Sequence, residues 1–153
     1  MRFALTADQR DHFVKHGYVE FEEVVPPNLT DEQLARRRPL AEVAAELTGV
    51  RPLRLGWTKR VTAGELNLKE MGSVQGIVAG AIIKSSGEAI FFSAEHSFSL
   101  AKEDDRSYLL IAYAGPRAVY VFNEHDPDTH LLKRQGYVFG DRLREEIHPT
   151  LTR

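Results

Sequence analysis

Two imidazoles and two carboxylates fall within six residues at His125-Asp126-Pro127-Asp128-Thr129-His130. Such nitrogen and oxygen donors suit a divalent cation. Pro127 and the polar composition favour a plainer reading, a solvated surface turn whose side chains hydrogen-bond their own backbone. His12 and His16 stand four apart, the spacing that lets two histidines on one helix face hold zinc. The residues between them, Phe13-Val14-Lys15, supply no glutamate base, so the pair reads as an exposed helix face. Arg36-Arg37-Arg38 could meet a phosphate or an acidic partner. Beside Glu32 and Glu42 it reads as a solvated helix end.

Other chemistry is excluded by residue type. The chain has 153 residues and no cysteine, which removes disulfides, thiol nucleophiles and thiolate metal sites. It has no Gly-x-x-x-x-Gly-Lys-Ser/Thr, no Gly-x-Gly-x-x-Gly and no Gly-x-Ser-x-Gly, so phosphate cradles and hydrolase elbows have no support. A net charge of -2 gives no reason to expect nucleic acid or an anionic membrane as partner. The apolar run Gly76 to Ile83 is too short to span a bilayer, and Met1 to Thr6 lacks an apolar signal core. These features predict a cytoplasmic protein of one domain, residues 1–153.

The elements that must position any site are marked by turn chemistry. Thr6-Ala7-Asp8-Gln9 is a capping box and Gly17 a C-terminal stop, which predicts a helix over 7–16. Tyr18 to Val25 is rich in β-formers and ends at Pro26-Pro27, which predicts a strand. A second capping box, Thr30 to Gln33, opens a helical stretch toward Thr48, with Pro39 forcing a break near Arg38. Leu40, Val43, Ala44 and Leu47 give its second half an apolar stripe. Pro52 to Val61 reads as extended, and 63–85 is open between helix and strand. From Ala89 onward the pattern is β: Ala89 to Leu100, Ser107 to Tyr113, Ala118 to Asn123, Gly136 to Phe139 and Arg142 to Ile147, with a charged hairpin turn at Lys102 to Arg106. Helices first and strands after predict α+β.

The opening resembles that of phytanoyl-CoA dioxygenase-like proteins, in which a capped helix ends in Phe-x-x-x-Gly-Tyr/Phe-Val before a strand. Phe13, Gly17, Tyr18 and Val19 are the matching residues here. Gly140-Asp141 followed by His148 is similar to that family's Gly-Asp turn, strand and distal metal-ligand histidine, and His96 falls where its first ligand is expected. The chain is similar to a short branch of the family found in chlamydial bacteria, and is much shorter than the family's enzymes. The resemblance implies N-terminal helices packed on a jelly-roll (double-stranded β-helix) core. It also implies Fe(II) held by two histidines and a carboxylate, with 2-oxoglutarate as co-substrate.

The family spells its first two ligands His-x-Asp or His-x-Glu, which strand alternation turns to one side. None of the six histidines begins such a triplet, and after His96 the carboxylate position is Phe98. An apolar ring cannot replace an anionic ligand. The resemblance leaves His96 and His148 as candidate metal ligands and Arg153 as the candidate 2-oxoglutarate contact, with no catalytic residue assigned. The expectation is a degenerate, non-catalytic relative that binds an unknown small molecule or protein and needs no cofactor. The alternative is an active Fe(II)/2-oxoglutarate dioxygenase with an atypical site.

Overall fold

Two threonines begin helices as the capping boxes require. In the computed structural model, which describes residues 5–101 and 106–153, Thr6 Oγ1 accepts the Gln9 amide at 3.2 Å and Gln9 Oε1 accepts the Thr6 amide at 2.9 Å. Helix α1 (Ala7–His16) then stops where Gly17 turns left-handed, at φ +80°. Thr30 and Gln33 repeat the arrangement at the start of α2 (Asp31–Ala35). Pro39 separates α2 from α3 (Arg38–Thr48) by sitting in the first turn of α3, where its missing amide has no intrahelical partner to lose. Leu40, Val43 and Leu47 of α3 are buried, each stabilising the fold by about 1.5–3 kcal/mol.

The strands are β1 (Tyr18–Phe21), β2 (Arg54–Val61), β3 (Gly64–Leu66), β4 (Val74–Ile83), β5 (Ala89–Ser93), β6 (Phe98–Leu100) and β7 (Tyr108–Tyr120), with a short helix α4 (Leu68–Met71) before β4. Five of them form an antiparallel sheet in the order β1-β5-β4-β7-β2, and β3 pairs with β6 in a second, two-stranded sheet. The protein is α+β and mostly antiparallel, as expected. No helix among the described residues is long and apolar enough to cross a membrane.

Strand alternation sorts the large sheet into two cores. Ala79, Ala81 and Ile83 of β4, Phe91 of β5 and Leu109, Ile111 and Tyr113 of β7 pack on the side of α1 and α3. Ile82, Ile90, Phe92 and Leu110 pack on the other side with Leu66 and Leu100 of the small sheet, and with Tyr120, Tyr137 and Leu143. That second core is filled by side chains: Phe92, Ile82, Leu110, Tyr120 and Tyr137 are all under 2% exposed.

Several sequence expectations are corrected. The strand expected to Val25 ends at Phe21, because Glu23 turns left-handed (φ +51°) and the amides of Val24 and Val25 go to the Gly87 carbonyl. The stretch Ala89 to Leu100 is two strands broken by the turn at 94–97. Ser107 to Tyr113 and Ala118 to Asn123 merge into the single strand β7. Its register against β4 slips between Ala114 and Val119, so Pro116 lies exposed in a bulge where the ladder needs no amide. Gly136 to Phe139 and Arg142 to Ile147 are not strands. Their backbone groups go to local turns and to side chains, with one isolated bridge from Arg142 to Val119. Of the charged turn at Lys102 to Arg106, residues 102–105 lie outside the described residues.

Candidate functional site

The pleat of β2 turns Trp57 and Lys59 to the same side of the strand. Trp57 lies against Gly72, where an added Cβ would sit 2.3 Å from the indole Nε1; glycine is required for that approach. Lys59 Nζ reaches Asp126 Oδ1 at 3.1 Å, on the loop after β7. Around that carboxylate a polar network closes. Ser73 Oγ donates to Asp126 Oδ2 at 2.6 Å and stands 2.7 Å from Thr129 Oγ1, which accepts the Asn123 amide at 2.9 Å. Ser73, Asp126 and Thr129 are each 6% exposed. Burial pushes the Asp126 carboxyl up, but the Ser73 hydroxyl, the Asp128 amide and the Lys59 ammonium outweigh it and hold the group below the ordinary value. Tyr120 donates to the Thr129 carbonyl. Its phenol is pushed up by burial and by the charge of Asp126.

Trp57, Lys59, Ser73, Tyr120, Asp126 and His148 border one cavity of about 400 Å³, closed on its far side by α2. This size is usual for a small-molecule site. Its hydrogen-bonding capacity is nearly consumed by the fold. His148 is 3% exposed. Its Nδ1 stands 2.9 Å from Tyr137 Oη, which also accepts the Arg144 amide. The backbone of Gly56 favours the protonated ring. Burial, together with the cations of Arg54 and Arg144, lowers His148 to about 4, so the imidazole is neutral near pH 7. The side chain bordering the cavity with an unmet donor is Trp57, whose buried Nε1 has no partner among the described residues. The arrangement can hold a flat, partly apolar molecule against the indole. Its buried carboxylate, Asp126, is paired with Lys59 and Ser73, while the exposed carboxylates of Asp31, Glu32 and Asp128 also line it.

His96 is elsewhere. It is exposed on the turn after β5 and packs on the backbone of Gly17, where an added Cβ would meet the ring at 3.1 Å. His148 lies against β2, where Arg54 Nη1 donates to its carbonyl at 3.0 Å, and β2 is the edge of the sheet far from β1 and β5. The structure does not bring the two histidines together. Phe98 stacks on Phe92 at 5.2 Å and tilts against Tyr18 at 5.4 Å. Arg153 is exposed, does not border the cavity, and gives its carbonyl to Arg51. Of the His125 to His130 loop, His125 and His130 are exposed while Asp126 and Thr129 point inward, so the solvated turn is half buried. Among the described residues no three His, Asp or Glu side chains cluster as metal ligands. His12 and His16 stack at 4.5 Å on an exposed face of α1. The Ser73 and Lys59 partners of Asp126 were not anticipated. The alternation of Trp57 and Lys59 on β2 was a readable signal; nothing local links Ser73 to a loop 53 residues away.

No family model and no curated protein matches the chain. Solved structures do. The chain is similar to the non-heme alpha ketoglutarate dependent epimerase SnoN from nogalamycin biosynthesis, at 14% identity and TM-score 0.71, covering 94% of this chain and 97% of that one. It is similar to the non-heme alpha ketoglutarate dependent carbocyclase SnoK from the same biosynthesis, at 13% identity and TM-score 0.68, covering 97% of each. A looser likeness is to CT296 from Chlamydia trachomatis, at 15% identity and TM-score 0.46, covering 74% of this chain and 97% of that one. The first two likenesses establish the fold that this chain shares with such enzymes.

Proposed function

We propose that this chain is a non-catalytic relative of the 2-oxoglutarate-dependent oxygenases. In this reading it is one cytoplasmic domain with a jelly-roll core that binds a small molecule in the cavity beside His148. The observation that carries the reading is the burial of His148 with its Nδ1 2.9 Å from the Tyr137 hydroxyl. A metal ligand needs a free lone pair, and the Tyr137 hydroxyl occupies the Nδ1 side of the ring. His96 against Gly17 on the turn after β5, Phe98 in an aromatic stack and Arg153 outside the cavity agree with it. These residues do not fit Fe(II) with 2-oxoglutarate.

The alternative is an active Fe(II)/2-oxoglutarate dioxygenase using His96 and His148. The likeness to two alpha ketoglutarate dependent enzymes favours it. Anaerobic addition of Fe(II) and 2-oxoglutarate separates the two. A ligand at a hundred times its Kd stabilises the native state by about 2.7 kcal/mol. The expected result is no metal-dependent rise in melting temperature and no chelate absorption band. A rise at saturating iron that disappears in His148→Ala would overturn the proposal.

A further inference from the structure

We propose a second ligand site on the helix side of the large sheet, built to take a single-chain amphiphile with one anionic head, such as a medium-chain carboxylate. A cavity of about 460 Å³ lies between the first turn of α3, the segment 23–29 after β1 and the turn between β4 and β5. It shares no lining residue with the cavity beside His148. Its walls are apolar: Phe21, Leu34, Leu40, Val43, Ile83 and Phe91. The segment 23–29 is fixed against the opposite wall by the Val24 and Val25 amides, which bond the Gly87 carbonyl at 3.0 and 3.2 Å.

One cation in this lining is left over. Arg37 is held at the α2–α3 junction by its amide, which donates to the Leu34 carbonyl at 3.2 Å. Its side-chain Nε is buried and has no hydrogen-bond partner among the described residues. That nitrogen is out of reach of solvent, so the tip of the guanidinium, which makes no ion pair among the described residues, is the part that can meet an oxyanion in the cavity by a charge-assisted bond. Arg37 also caps α3 by its backbone alone, with no side-chain cap, so the positive end of that helix borders the same space. Lys84 is already engaged by Glu88 and the Tyr108 ring, and the lining carboxylate, Glu23, is exposed. The field and the unpaired guanidinium therefore call for one negative head, and the walls call for an alkyl body. The volume equals about fifteen water-sized spaces of about 30 Å³, enough for a chain of about ten carbons.

Calorimetric titration of the intact protein tests this, with decanoate, decanol and decyltrimethylammonium as probes below their micellar concentrations. Decanoate should bind at least tenfold more tightly than decanol, and the cation should bind most weakly. Arg37→Gln should remove that tenfold preference while leaving decanol affinity unchanged, and Arg37→Lys should restore part of it. Val43→Trp should weaken decanoate and decanol alike. Equal affinity for decanoate and decanol in the unmodified protein overturns the proposal without recourse to any variant. An undiminished preference in Arg37→Gln overturns the assignment to this cavity.

Discussion

The two cavities on either side of α2 are similar in size and differ in how the fold engages their buried polar groups. The buried polar groups of the one beside His148, those of Ser73, Tyr120, Asp126 and His148, are bonded or close to other parts of the fold, with Lys59 on Asp126. The other carries Arg37, whose buried Nε has no partner among the described residues. Helix α2 divides them, giving Leu34 to the apolar cavity and Asp31, Glu32, Ala35 and Arg36 to the polar one. The contrast teaches that polar residues around a cavity do not measure its capacity to bind. What counts is the donors and acceptors left after the fold has used its own. By that measure each cavity borders one unmet buried donor among the described residues, the neutral indole N–H of Trp57 in one and the charged guanidinium of Arg37 in the other, and the charged one is the stronger demand.

Breaking the polar side should have the largest effect. Asp126→Ala leaves Lys59 and Ser73 facing a space that no longer accepts their protons. Removing one partner of a buried ion pair typically costs 3–5 kcal/mol. Lys59 keeps partial contact with water, its side chain being 22% exposed, so the expected loss is about 3 kcal/mol, near the lower end of that range. Urea denaturation would register it as a lower midpoint with an unchanged slope. A loss below about 1 kcal/mol, the range of an exposed ion pair, would mean that the loop is the solvated turn its composition suggests.

The next effect is a pH dependence confined to the same side. His148 is lowered from its ordinary 6.5 to about 4 by burial, so the unfolded chain binds a proton that the native state refuses between those values. Native stability is therefore full above pH 6.5 and falls as pH drops toward 4. The span corresponds to about 2–3 kcal/mol. Asp126 and Glu145 run in the other window: their carboxyls are held below the ordinary 3.8 and 4.5, so their contributions fade only under those values. Urea midpoints at pH 7 and pH 4.5 should differ in the unmodified protein, and His148→Gln should flatten that difference. An unchanged slope in the variant would remove His148 as the cause.

The same division separates what was legible in the sequence from what was not. Thr6 with Gln9, Thr30 with Gln33, Gly17 and Pro39 act within one helical turn, so their signals survive in a linear reading, and the helices formed where those residues placed them. The β-formers along β7 exposed its strand character while β4 stayed open between helix and strand, and the merger of two expected strands across Gly115-Pro116 depended on a bulge opposite β4, which only pairing reveals. The stretch after Phe139 looked like strand because its residues are β-formers. Its backbone is held instead by local turns onto Val138 and Arg144 and by Tyr120, a partner set by tertiary packing. At the candidate sites the gap is wider. Motif position selected His96 and His148 together, while one follows β5 and the other lies against β2, at the far edge of the sheet. The triplet Arg36-Arg37-Arg38 looked like one solvated helix end, and two of its members are exposed. Arg37 departs because the α2–α3 break turns it toward the cavity, a direction that the number of arginines does not encode.

The smallest effect should come from that residue, and it sharpens the comparison most. In the absence of added ligand, Arg37→Met removes a buried donor that satisfies no acceptor and replaces it with a flexible apolar chain of similar reach. Deleting a paired group leaves its partner orphaned; deleting an orphan leaves nothing behind. The expected change in stability is within about 0.5 kcal/mol of zero, with any departure toward greater stability. Asp126→Ala and Arg37→Met would then differ by severalfold although both remove a charged group bordering a cavity. Differential scanning calorimetry of the two variants beside the unmodified protein reads the difference directly. A cost for Arg37→Met above about 1 kcal/mol would show that its guanidinium already has a partner in the fold, and the asymmetry between the two cavities would collapse.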